Sequence, residues 1–80
     1  MKYTKEINHN LFAMRQANCK ESISDKFDNI ICFATREIYE EGTLSSGSNL
    51  LAIAAKILAK RNGINTSALE EALNYHKKNI

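Results

Sequence analysis

The sequence predicts an all-helical fold, a small bundle of three to four short helices forming a single domain over residues 1–80 and completed by dimerisation. Three observations point there. Proline is absent and glycine occurs only three times, so the two strongest helix breakers are nearly missing. Apolar residues recur three and four apart along most of the chain, and no stretch alternates as a strand does. Eighty residues enclose only a thin core, which normally needs a disulfide, a metal, very regular packing or a second chain to support it.

The first helix is expected over about 4–17, from the stripe Ile7, Leu11, Met14 and Ala17. Asn8, Asn10 and Asn18 lower its propensity, so residues 1–20 are expected to order loosely. The second helix carries the strongest signal. After Ser22 or Ser24 as N-cap, Phe27, Ile30, Ile31, Ala34 and Ile38 recur at helical spacing, and Phe33 and Tyr39 widen the apolar face. Asp25 and Asp28 suit the positive end of its dipole, and Gly42 stands where a left-handed cap would close it. A face this wide can serve both a core and a second chain. Phe27, Ile30, Phe33, Ile38, Tyr39 and, from the next helix, Leu51 are therefore the predicted dimer or partner interface.

Residues 42–48 read as a cap and turn, with Ser46 or Ser48 as the next N-cap. The third helix is expected to bury Leu50, Leu51, Ala54, Ile57 and Leu58, with Ala52, Ala55 and Ala59 allowing close approach. It ends at Arg61-Asn62-Gly63, and a last helix begins near Thr66 or Ser67 with Leu69, Ala72, Leu73, His76 and Ile80 on one side.

Composition limits the chemistry. Cys19 and Cys32 form no Cys-x-x-Cys pair and read as reduced thiols of a cytoplasmic protein. His9 reads as a surface residue and His76 as a partly buried, satisfied one. No phosphate-binding glycine loop with its lysine is present. The chain is read as non-catalytic, without cofactor, metal or small-molecule substrate. No apolar run approaches the roughly 20 residues of a membrane span, and no membrane association is expected.

The net charge of +2 is unevenly spread. Lys2, Lys5 and Arg15 make the N-terminal part basic. Glu21, Asp25, Asp28, Glu37, Glu40 and Glu41 make the middle acidic, and Lys56, Lys60, Arg61, Lys77 and Lys78 make the end basic. Opposite patches of this kind suit docking between proteins. A helix-turn-helix over about 54–77 is the structural competitor. Ala59 would be the small residue between its helices, Gly63 would lie in the turn and Leu69 in the core. Lys56, Lys60, Arg61, Asn65, Thr66, Lys77 and Lys78 are then the predicted contacts to DNA or to an acidic partner. Glu70 and Glu71 on the would-be recognition helix oppose that reading.

From Ile31, Ala34 and Ile38 to Gly42, then Leu50-Leu51 and Leu58, the chain resembles the small enterobacterial regulators of the YmgB (AriR) type over about residues 27–59. Ala54 and Ala55 stand where that pattern has bulkier residues. The resemblance implies a three-helix, dimer-forming connector in biofilm and acid-stress control, acting on a response regulator of the Rcs type. It also brings an association with DNA and no catalytic residues. Residues and resemblance together predict a regulatory adaptor acting by helix-mediated contact with another regulatory protein, as a homodimer. The alternatives are a DNA-binding regulator and a small phage or mobile-element inhibitor of a host complex.

Overall fold

The computed structural model describes residues 3–78, with the side chains of 76–78 outside that description. Among these residues the chain is all-helical: α1 (Thr4–Gln16), α2 (Lys20–Glu41), α3 (Ser46–Arg61) and α4 (Ser67–Lys78). At about 1.5 Å per residue α2 runs nearly the whole 35 Å length of the molecule. The other three helices all pack on it. α1 also meets α3, whereas α4 lies chiefly on α2 and touches α3 less.

The stripe of α2 is the spine of the core. Ile23, Phe27, Ile30, Ala34 and Ile38 are buried, against Ile7, Leu11 and Met14 of α1 and Leu69 and Leu73 of α4. This placement corrects the expected interface, because Phe27, Ile30 and Ile38 belong to the core of a single chain. Within the segment expected to order loosely, Thr4–Gln16 form a helix packed on the core. Packing of Ile7, Leu11 and Met14 outweighs the weak propensity of α1, and the buried Asn10 side chain is satisfied by donating to the Glu6 carbonyl and accepting from Asn29.

Helix ends differ from expectation at two of the serine positions. α2 starts earlier than Ser22 or Ser24, with Cys19 in extended conformation at its N-cap. The N-cap of α3 is Ser45, neither Ser46 nor Ser48, and its hydroxyl accepts from the Ser48 N–H at 3.2 Å. The glycine ends stand as read. Gly42 (φ 82°) closes α2 with its N–H on the Ile38 carbonyl. At the end of α3, Gly63 (φ 71°) donates to the Lys60 carbonyl and Ile64 to the Ala59 carbonyl, the paired bonds of a Schellman motif.

The main surprise is α3, whose polarity is inverted. Its buried face consists of Ser48, Ala52, Ala55 and Ala59, all fully enclosed, while Leu50 is 67% exposed and Ile57 46% exposed. Leu51, Ile53, Ala54 and Leu58 are half-buried on the flanks. The expectation that Leu50 and Ile57 face the core is thus overturned. The physical reason is distance: α3 must fit against both α1 and α2, and a seam of small side chains lets the backbones approach closely. Substitution of Ala55 by leucine adds volume where there is none. It is expected to lower stability by about 1–3 kcal/mol, read from urea unfolding. An Ala55→Leu protein as stable as wild type would show that the seam is loose.

Candidate contact surfaces

The break between α2 and α3 is tied down by a polar network that sequence reading missed. Glu37 falls on the buried stripe of α2, one turn beyond Ala34, and is fully enclosed. One carboxylate oxygen accepts from the Ser45 N–H at 2.8 Å. The other accepts from the Ser48 hydroxyl at 2.8 Å and the Tyr3 N–H at 3.4 Å. The Ser48 hydroxyl lies 2.6 Å from that of Thr4, which lies 3.2 Å from that of Ser45. Because the Ser48 proton is spent on Glu37, Thr4 must donate to Ser48, and Ser45 to Thr4. The hydroxyls therefore form an ordered chain running towards the carboxylate. Glu37 also sits at the N-terminus of α3, where a helix dipole favours negative charge. In effect this is a capping box whose acid comes from the preceding helix. Its chemistry is structural: every polar group in it is already matched, and Leu44 closes the turn by burial. A glutamate on an apolar stripe just ahead of a serine-rich turn was the available signal.

Among the described residues, Phe12 stands exposed on α1, and two further apolar surfaces lie outside the core. One is the outward side of α3, where Leu50 and Ile57 are exposed with half-buried Ala54 between them and Arg61 at the end. The other is a groove of about 340 Å³ between α2 and α4, lined by Thr35, Ile38 and Tyr39 on one side and Ala68, Glu71, Ala72 and Tyr75 on the other. Tyr39 is 90% exposed and Tyr75 55% exposed, so two aromatic rings and one carboxylate border the groove. Of the six predicted interface residues, Tyr39 alone stands fully in solvent. Phe33 is half-buried, its ring 5.7 Å from that of Tyr3, and Leu51 is half-buried beside the α3 ridge.

Among the described residues, the predicted DNA-contact side chains are not gathered into one free surface. Lys60 pairs with Glu70 at 3.3 Å. Thr66 is buried and donates to the same Glu70 carboxylate, and the Asn65 side chain accepts from the Ser67 N–H at the start of α4. The Thr66 hydroxyl first, and the Lys60 ammonium next, hold the Glu70 carboxyl below its usual range. Arg61 is exposed and Lys56 half-buried. The side chains of Lys77, Lys78 and His76 lie outside the described residues.

Both cysteines are free and exposed. The Cys19 thiol donates to Ser22 Oγ at 3.3 Å, and hydrogen bonding with the Ser22 side chain first, and its backbone next, draws the thiol below its ordinary value. His9 is exposed, beside a shallow recess with Lys5, Glu6, Asn10 and Phe33. Among the described residues no three His, Cys, Asp or Glu side chains come together to hold a metal, and no helix is long and apolar enough to cross a membrane. The chain matches no protein-family model, no curated protein and no solved structure.

Proposed function

We propose that this chain is a non-catalytic regulatory adaptor that acts by helix-mediated contact with another regulatory protein. The observation that carries the reading is the α2–α4 groove, where Tyr39 and Tyr75 stand exposed on either side of an apolar floor with Glu71 at its edge. Tyrosines that present a large apolar ring with a polar tip are favoured at protein interfaces. The carboxylate suits a partner that brings a lysine or arginine beside its apolar anchors. The finer reading, a response regulator of biofilm or stress control as the partner, is supported by the resemblance of residues 27–59 to the YmgB type. The cytoplasmic location belongs to the same reading.

The DNA-binding alternative draws on the α3–turn–α4 pair, in which Ala59 and Leu69 are buried and Gly63 has positive φ. The residues meant to reach base edges or phosphates there, Asn65, Thr66 and Lys60, are engaged in capping α4 and holding Glu70. That favours contact with a protein over contact with a duplex.

The test is complementation. Host cells lacking the chain receive wild type or a Tyr39→Ser/Tyr75→Ser double variant, and biofilm formation and co-purification of the response regulator are measured. Wild type is expected to restore both, and the double variant, folded by circular dichroism, neither. Full complementation by the double variant would remove the groove from the function, and a wild type that changes neither readout would remove the regulatory reading.

A further inference from the structure

The inverted polarity of α3 calls for a partner of its own. Leu51, Ile53, Ala54 and Leu58 pack against the core from its flanks, but Leu50 and Ile57 turn to water on the face opposite the serine-alanine seam, and among the described residues neither packs on the core. Leu50, Ala54, Ile57 and Arg61 follow one another four, three and four residues apart, so they lie along one line opposite the buried seam. Three-four spacing of this kind forms the seam between two packed helices.

Charge along α3 says how a second helix would lie. At its N-terminus stands the acidic end of α2, held there by the bonds from Ser45 and Ser48 to Glu37, with Glu40 and Glu41 exposed beside it. Its C-terminus is basic. Lys60 and Arg61 are exposed there, and the Lys20 ammonium lies close to Gly63. Each copy therefore carries an acidic and a basic end on either side of one apolar ridge.

We propose that α3 packs antiparallel against α3 of a second copy about a two-fold axis at Ile53–Ala54. Leu50 of one chain then faces Ile57 of its partner, and small Ala54 at the axis lets the helices approach. Arg61 of each chain comes to the acidic α2–α3 corner of the other. The parallel arrangement would instead set the two basic ends together, and two-fold pairing through one shared patch closes at a dimer. This assignment deepens the contact reading by giving the second copy a surface separate from the α2–α4 groove, and it replaces the α2 face, whose Phe27, Ile30 and Ile38 are in the core.

Sedimentation velocity and directed crosslinking of the full chain test it. Wild type is expected to dimerise with a dissociation constant on the order of micromolar, as befits a small interface. Leu50→Lys/Ile57→Lys should remain helical and weaken the dimer by roughly a hundredfold or more, since each change buries an unmatched charge. Arg61→Glu should weaken it by about tenfold, and Glu41→Lys added to it should recover part of that loss. In a Cys19→Ser/Cys32→Ser background, oxidation should link Ala54→Cys to itself. Leu50→Cys alone should stay unlinked and link only when mixed with Ile57→Cys. Efficient self-linking of Leu50→Cys would overturn the antiparallel order. A monomeric wild type at 100-micromolar order, or a Leu50→Lys/Ile57→Lys protein that dimerises like wild type, would overturn the interface. None of these readouts involves the groove tyrosines, so the contact reading stands or falls by its own test.

Discussion

Replacing Glu37 with alanine is expected to lower the free energy of unfolding by about 2–4 kcal/mol, the loss incurred when buried donors are left without an acceptor. The Ser48 hydroxyl is fully enclosed and the Ser45 and Tyr3 N–H groups point into the same space, so water does not readily replace the carboxylate. For a domain this small the effect is a large part of total stability. Glu37→Gln keeps the shape but exchanges one acceptor oxygen for a donor NH₂ facing either Ser45 or Ser48. It should cost about 1–2 kcal/mol, an intermediate value. Urea unfolding of wild type and both variants gives the order. A Glu37→Gln protein as stable as wild type would mean that the hydroxyl chain is not oriented by the carboxylate.

The second large effect separates core from surface among residues that look alike in the sequence. Phe27→Ala should cost about 3–5 kcal/mol, since a fully buried ring is removed from the centre of the spine. Leu50→Ala should cost under about 0.5 kcal/mol in the isolated chain, since most of that side chain is already in water. Both are measured by denaturation at a concentration well below any self-association, so that dimerisation does not mask the difference. Equal losses in the two variants would contradict the inverted placement of α3.

These contrasts mark where sequence reasoning succeeds and where it stops. α2 is legible because a long helix packed on three neighbours must show an apolar stripe, and Phe27, Ile30, Ala34 and Ile38 show it, with Ile23 extending it one turn earlier than the sequence reading placed it. Gly42 and Gly63 are legible because left-handed backbone admits few other residues. The same periodicity misreads α3. Leu50 and Ala52 belong to different faces, and hydrophobicity assigns the larger residue to the core, whereas space between backbones assigns the smaller one. Composition offered Ser46 or Ser48 as the cap, whereas Ser45 takes that place among the three serines. The acceptor that selects among them, Glu37, stands eight residues before Ser45.

The amino-acid sequence by itself determined that the chain is helical, where its glycine-closed helix ends fall, and that α2 supplies the spine, because propensity, capping and periodicity act within a few residues. Which side of α3 meets the core, which serine caps it and which aromatic side chains stand in solvent were decided only by the tertiary structure. Those outcomes depend on how closely α1, α2 and α3 approach, and on a carboxylate brought to a helix end from another helix. Local sequence does not encode such a distance; it arises when the whole bundle is packed.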